Sequence, residues 1–169
     1  IVLYPINKKK ELNLVCIMRC KKFDPDNTKK LITDLVLKQN PKLKIIFDNE
    51  IKTWPLYFTP KILSSSNKKV FYIGDAFNGF LPTLAQGAGQ SIESAYEIFN
   101  LLKENKLDTD TYFELRSKRA KIVRKRSNLN FFAFHLSNSI LQEIRNLLMK
   151  FLIKRKSFIN SYLGTVYKD

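Results

Sequence analysis

The segment that most restricts the fold is Val70-Phe71-Tyr72-Ile73-Gly74-Asp75-Ala76, followed by Leu81-Pro82-Thr83-Leu84-Ala85-Gln86-Gly87-Ala88-Gly89-Gln90 and an amphipathic run from Ser91 to Leu102. Four apolar or aromatic residues ending in Gly-Asp predict a buried strand that delivers one carboxylate at its carboxyl end, where open α/β sheets hold ligands. The glycines at Gly79, Gly87 and Gly89, with Pro82 among them, let backbone come close to a bound group. The helix that follows begins with unpaired N–H groups and the positive end of its dipole, which favour an electron-rich or anionic group. Strand, loop and helix together predict a binding edge with Asp75 at its mouth.

The flanking sequence supplies a frame for that edge. At 169 residues the chain can bury a sizeable core, and its start at Ile1 rather than Met suggests part of a longer protein. Ile1 to Pro5 and Leu12 to Cys20 read as strands joined by a Lys-rich turn at Asn7 to Lys10. Asp24-Pro25-Asp26-Asn27 is turn chemistry, and Asp26 or Asn27 is placed to cap a helix from Thr28 to Leu37, which Asn40-Pro41 ends. Ile51 to Thr59 reads as a strand with Trp54, Leu56 and Phe58 on one face and Tyr57 on the other. After the glycine loop, Ile92, Ala95, Phe99 and Leu102 recur at helical spacing and predict a buried helix face. Asp108 or Thr109 is placed to cap a long helix running toward Phe134, and Ile140, Leu141, Ile144, Leu147, Leu148, Phe151 and Leu152 form the stripe of a third helix. Strands come first and helices last, with no repeat and no linker.

Charge and cysteines narrow the function classes. Thirty Lys and Arg against fifteen Asp and Glu give a formal charge of +15, which favours polyanions or an anionic membrane surface. The Lys residues are scattered over loops and helix faces, and the denser run from Arg116 to Arg126 falls on a helix without interleaved aromatics. A specific nucleic-acid partner is therefore not expected, and a peripheral membrane contact stays open. Cys16 and Cys20 on one strand lie roughly 13 Å apart and exclude a mutual disulfide. Buried thiols and a reducing, cytoplasmic setting are expected. With His135 the sole histidine, no zinc set is expected, and no apolar run reaches membrane-spanning length.

Gly74-Asp75-Ala76, Pro82, Gln86-Gly87-Ala88-Gly89 and Ile92-Glu93-Ser94-Ala95 together resemble the second flavin-binding motif of the FAD-dependent aromatic-ring hydroxylases, the p-hydroxybenzoate hydroxylase-like flavoprotein monooxygenases. The salicylate hydroxylase-like branch is the nearest match. Tyr4-Pro5 with Asn13-Leu14-Val15, Trp54-Pro55-Leu56-Tyr57, and Tyr112, Arg116, Arg119 and Phe134-His135 agree in order and spacing. The resemblance implies an α/β protein, α+β in this C-terminal half: antiparallel substrate-domain strands, one flavin-domain strand and C-terminal helices. Residues 1–68 would supply substrate-domain strands and a connecting helix, and residues 69–169 the C-terminal part of the FAD-binding domain with a helical tail. The dinucleotide fingerprint of that family lies upstream and is absent here, so the upstream half of the same protein is an implied partner and the isolated chain is expected to be inactive.

Residue by residue, the resemblance implies that Asp75, with cofactor-binding Gly74 before it, hydrogen-bonds the ribityl hydroxyls of FAD, that Pro82 lies beside the flavin ring, and that Gly87, Ala88 and Gly89 face its pyrimidine edge. N–H groups and a helix dipole there would stabilise negative charge on the reduced ring. Tyr57, Phe80 and Leu81 are candidate residues lining a small aromatic substrate, with NAD(P)H and dioxygen as co-substrates; no catalytic residue and no metal ligand is assigned. Asn78 stands where that family usually has histidine, so any role that requires a titrating imidazole is not expected. Arg116 and Arg119 resemble structural arginines, with solvated charges as the plain alternative. Two other readings are a related flavoprotein hydroxylating a prenylated quinone precursor at a membrane surface, and a basic nucleic-acid-binding module supported by charge alone.

Overall fold

A computed structural model describes residues 1–48 and 50–167, which divide into two units, one of Ile1–Leu56 and a second beginning at Tyr57. In the first, β1 (Val2–Ile6) pairs antiparallel with β2 (Glu11–Val15), Val2 opposite Val15 and Ile6 opposite Glu11. The turn between them takes Asn7 and Lys8 to φ 46° and 56°, a left-handed excursion that closes a short hairpin. The second strand stops at Val15 rather than Cys20; Cys16 is half-buried and Cys20 exposed, both as free thiols, which corrects the expectation of a buried pair.

Helix α1 (Pro25–Gln39) begins earlier than its turn residues suggest. Asp24, not Asp26 or Asn27, is the cap: its carboxylate accepts the Asn27 N–H at 3.2 Å, and Pro25 takes the first helical position, where a missing N–H costs nothing. Thr28, Ile32 and Val36, one i, i+4 row, form its buried face, while Leu31 and Leu35 are exposed.

The second unit is helical: α2 (Gly74–Asn78), α3 (Gly87–Lys103), α4 (Thr109–Phe134), α5 (Ser139–Leu152) and α6 (Lys156–Tyr167). Asp108 caps α4 by accepting the Thr111 N–H at 2.8 Å and its hydroxyl at 2.7 Å. Phe77, Leu101, Tyr112 and Ala120 form the core behind α2, with Phe71 and Phe113 edge-on to its aromatic rings at centroid distances of 5.7 Å to Tyr112 and 6.0 Å to Phe77. Edge-to-face geometry of this kind adds roughly 0.5–1.5 kcal/mol per pair to the area buried.

Two expected strands are not formed. The two-stranded β1–β2 sheet is the sheet among the described residues, so Val70–Ile73, the expected flavin-domain strand, has no ladder, and neither has the run 51–59. Apolar sequence favours a strand only where a neighbour offers N–H and C=O groups to bond. Val70–Ile73 is instead fixed at its ends: the Val70 N–H bonds Asn67 O at 3.0 Å, and the Tyr112 hydroxyl donates to Tyr72 O at 2.8 Å. The fold is therefore α+β and mostly helical.

Helix α3 also departs from its sequence pattern. Ile92, Phe99 and Leu102 are exposed, Ile92 by 71%, and Ala95 with them; Gln90, Ser94 and Leu101 are buried. Small and polar residues let α3 approach α4 closely and receive an arginine, as described below. The apolar stripe of α5 faces outward as well, with Leu147 72% exposed. No helix among the described residues is long and apolar enough to cross a membrane.

Candidate functional site

The site is built around Gly74. It takes φ +55°, and a Cβ placed on it would lie 2.6 Å from Ser91 Oγ and 3.3 Å from Ser91 Cβ. Glycine is thus required twice, for a left-handed backbone and for contact with the first turn of α3. That contact seats α2 on α3. Ser91 Oγ in turn donates to Gly87 O at 3.0 Å, so the same serine joins the start of α2 to the start of α3. Asp75 follows at the exposed first turn of α2, and its carboxylate has no hydrogen bond or ion pair among the described residues.

Gly87, Ala88 and Gly89 are the first three residues of α3, and no side chain caps them. The first intrahelical bond is Gln90 N–H to Gln86 O at 2.8 Å, which leaves the N–H groups of these three residues without helical partners. A Cβ on Gly87 would meet nothing within 4 Å, and one on Gly89 would make only ordinary contact with Gln86 Oε1 at 3.7 Å. The unit's own packing therefore does not require either glycine, although glycine is a poor helix former. Gly74, Asp75 and the α3 N-terminus are brought together; Ala88 and Gly89 are exposed beside them.

Pro82 opens a short 3-10 turn, Pro82–Leu84, which closes with Ala85 at φ 52°. Helix α4 holds this turn from below. Thr83 Oγ1 donates to Ser127 O at 2.6 Å, Ser127 Oγ donates to Leu81 O, and Asn130 Nδ2 donates to Thr83 O at 3.2 Å. Pro82 itself is exposed. The preceding residues are pinned from the other side: the Thr59 N–H bonds Gly79 O at 3.2 Å, the Gly79 N–H bonds Thr59 Oγ1 at 3.0 Å, and the Leu63 N–H bonds Phe77 O at 2.9 Å. Phe80 and Leu81 line a cleft of about 100 Å³ with Phe58, Pro60 and Arg124. Tyr57 is 84% exposed and is not part of its wall. A larger cavity of about 280 Å³ lies beside Phe71, Tyr112 and Phe113.

The arginines expected as structural or solvated are split in role. Buried Arg116 donates to Glu93 Oε2 at 3.0 Å, to Gln90 Oε1 at 2.9 Å and to Gln90 O at 3.3 Å, and Arg119 Nε reaches the same Glu93 oxygen at 3.3 Å. Gln90 Nε2 closes the network on Glu93 Oε1 at 2.9 Å. Burial pushes the Glu93 carboxyl up, but the hydrogen bonds from Arg119 and Arg116 outweigh it and hold the group below the usual carboxylate range. Asn78, in place of the usual histidine, is buried; its Oδ1 receives Arg124 Nη2, and its Nδ2 has no partner.

The sequence pattern did not single out Arg124, Ser127 or Asn130, nor the ion pairs of Glu93 with Arg116 and Arg119. A signal was present: Arg116, Ala120, Val123 and Ser127 follow the spacing i, i+4, i+7, i+11 and are all buried, a stripe of mostly small residues along which another element can lie close. No group of three or more His, Cys, Asp or Glu side chains among the described residues could hold a metal ion.

The chain is 33% identical over 97 residues to the 3-amino-4-hydroxybenzoate 2-monooxygenase of Streptomyces platensis, covering 55% of this chain and 24% of that protein. It is 30% identical over 116 residues to the hispidin-3-hydroxylase of Neonothopanus nambi, covering 64% and 28%. With the salicylate hydroxylase of Pseudomonas putida it shares 36% identity over 62 residues, covering 37% and 14%. The chain thus spans 28% or less of the length of each of these relatives. No family model and no solved structure matches it. By these relatives, and by the Gly-Asp-Ala and Gln-Gly-Ala-Gly segments whose geometry is set out above, the chain is aromatic hydroxylase-like.

Proposed function

We propose that this chain is the flavin-holding C-terminal half of an FAD-dependent monooxygenase that hydroxylates a small aromatic substrate with NAD(P)H and dioxygen. The observation that carries the reading is the uncommitted Asp75 carboxylate beside a glycine-bearing helix start whose N–H groups have no helical partners. A carboxylate and free N–H groups complement a polyhydroxyl chain and an electron-rich ring edge, so the residues present suit FAD. The aromatic substrates named for the relatives support the substrate class.

When bound, FAD would supply the redox chemistry, taking electrons from NAD(P)H and activating dioxygen for transfer of one oxygen atom to the ring. The chain's own residues do the holding. Asp75 accepts hydrogen bonds from ribityl hydroxyls. Gly87, Ala88 and Gly89 present N–H groups toward developing negative charge. Pro82 stiffens the loop, and Ser127, Asn130 and Thr83 keep that loop fixed against α4. Phe80 and Leu81 offer apolar contact to the substrate.

The outward apolar residues Ile92, Tyr96 and Phe99 of α3 extend the proposal: the upstream half of the same protein covers this face and brings the adenine and pyrophosphate contacts. On this reading residues 69–169 are flavin domain, residues 1–68 belong to a substrate domain, and the protein works in the cytoplasm. The test is the visible absorption spectrum of the protein made with its upstream half, alongside an Asp75→Ala version. Bound flavin that is lost in the variant is the expected result; a colourless protein that ignores added FAD overturns the reading.

A further inference from the structure

Helix α5 is seated by its polar side. Asn138 Oδ1 caps it by accepting the Leu141 N–H at 3.1 Å, Gln142 Nε2 donates to Leu136 O at 2.7 Å, and Arg145 Nη1 donates to Ala133 O at 2.7 Å. Gln142, Arg145 and Leu152 are its half-buried residues, and no residue of the helix is fully buried. Ile140, Ile144, Leu147, Leu148 and Phe151, spaced i, i+4, i+7, i+8 and i+11, share the opposite face, and each leaves more than half of its surface exposed. An apolar stripe so aligned and so uncovered marks a surface that meets something.

Charge and length decide what it meets. From Ser139 to Lys156 the chain has five basic residues, Arg145, Lys150, Lys154, Arg155 and Lys156, against the single acidic Glu143. No ion pair among the described residues uses any of the five. The Arg155 guanidinium lies 4.3 Å from the centre of the Phe151 ring, which sets a cation at the edge of the apolar face. A second copy of the chain would bring like charges together in a molecule already at +15. Helix α3, whose outward face is assigned above to the upstream half, carries two acidic residues, Glu93 and Glu97, and one basic residue, Lys103. An anionic lipid surface complements both features of α5, its acyl boundary taking the stripe and its headgroups the cations. With 14 residues α5 is about 21 Å long, short of the roughly 30 Å hydrocarbon core, so it fits in the plane of the interface and not across it.

We propose that α5 docks this protein on an anionic bilayer, with Ile140, Ile144, Leu147, Leu148 and Phe151 below the headgroups and Lys150, Lys154, Arg155 and Lys156 among them. The inference is independent of the flavin reading. It makes the protein peripheral to a membrane, held by a patch separate from the Gly74–Asp75 site.

The test is co-sedimentation of the protein, made with its upstream half, with vesicles of phosphatidylcholine alone and of phosphatidylcholine and phosphatidylserine at about two to one. Binding to the serine-lipid vesicles is expected, with little to phosphatidylcholine alone, and added salt should weaken it. Ile144→Gln with Leu147→Gln should reduce that binding roughly tenfold, since both side chains leave the acyl boundary. Lys150→Gln and Lys154→Gln should each reduce it roughly fivefold. All four residues are exposed, so the helical signal and thermal unfolding should change little. A second readout leaves the face apolar: Leu147→Trp in a Trp54→Phe background should shift its emission to the blue when serine-lipid vesicles are added.

Failure to bind, equal binding to both vesicle types, binding untouched by the Ile144→Gln and Leu147→Gln pair, or an unshifted tryptophan at position 147 would each overturn the proposal. So would a dimer in light scattering that the same pair dissolves, which would assign the face to a second copy. Vesicle binding by a protein that takes up no flavin keeps this surface and loses the monooxygenase; a flavin-coloured protein that ignores vesicles does the reverse.

Discussion

Gly74→Ala is the perturbation whose outcome follows most directly from the geometry. Alanine at φ +55° sits in the left-handed region, at about 1–2 kcal/mol for an L-residue. Its Cβ would lie 2.6 Å from Ser91 Oγ, so the hydroxyl must rotate away and give up its bond to Gly87 O, at about 0.5–1.5 kcal/mol. Alanine also narrows the unfolded ensemble, which returns about 0.4–1 kcal/mol. The net is a loss of about 2 kcal/mol.

A double-mutant cycle separates the terms. In a Ser91→Ala background the hydroxyl and its bond are already gone, so adding Gly74→Ala should cost about 1 kcal/mol rather than 2. The assay is urea unfolding followed by the helical signal, because five of the six α-helices among the described residues lie in the second unit while Trp54, the single tryptophan, lies in the first. A loss below about 0.5 kcal/mol, or the same loss in both backgrounds, refutes the claim that Gly74 is held by backbone strain and by contact with Ser91.

Further outcomes follow from the same contacts. Gly87→Ala meets nothing within 4 Å, so thermal unfolding should show unchanged or slightly higher stability, by up to about 1 kcal/mol, while flavin retention of the protein made with its upstream half falls. Ser127→Ala removes the hydroxyl that donates to Leu81 O while Thr83 Oγ1 keeps its bond to the residue 127 carbonyl, and should cost about 1–3 kcal/mol in chemical denaturation. Glu93→Gln tests linkage. The folded carboxyl is held below its unfolded value, so the wild-type advantage is full above the unfolded value and shrinks as pH falls through the folded one. With Glu93 a third exposed, that advantage should be about 1 kcal/mol or less at neutral pH, measured as the difference in unfolding free energy between pH 7 and pH 3. A difference that grows in acid contradicts the assigned ion pair.

Local chemistry was legible where it depends on neighbours in sequence. The hairpin, the break at Asn40-Pro41 and the Asp108 cap all rest on short-range rules, and the structure carries each of them. The Asp24 cap shows the limit of such rules, since Asp24 has the same capping chemistry as the expected Asp26 and Asn27, and Pro25 decides among them by fitting only the first turn. Strands were less legible because a strand is a relation between segments. Val70–Ile73 has the composition of one and, among the described residues, no partner to make it one. Within the candidate site, the glycines and Asp75 stood out by their types, but the clamp of Ser127, Asn130 and Arg124 did not, because its bonds join positions more than forty residues apart.

The inversion of α3 has a physical explanation that links fold to site. A helix normally buries its apolar stripe, yet α3 turns Gln90, Ser94 and the half-buried Glu93 toward α4 and leaves Ile92, Tyr96 and Phe99 outside. Burying polar side chains is tolerable only when each is bonded, and here Gln90 and Glu93 are bonded to Arg116 while Ser94 donates to Gln90 O at 2.8 Å. Such a network fixes rotation of the helix about its axis more tightly than apolar contact does, because hydrogen bonds tolerate little angular error. Rotation about that axis is what aims the N–H groups of Gly87, Ala88 and Gly89. Arg116 and Glu93 therefore act on the candidate site from a distance, by setting the direction in which its helix start points. Arg116→Met, which keeps the bulk and removes the bonds, should then loosen flavin binding by more than its effect on stability alone accounts for, read as flavin affinity at temperatures well below the unfolding midpoint. Loss of affinity that simply tracks the unfolded fraction would show that the network stabilises the helix pair without aiming it.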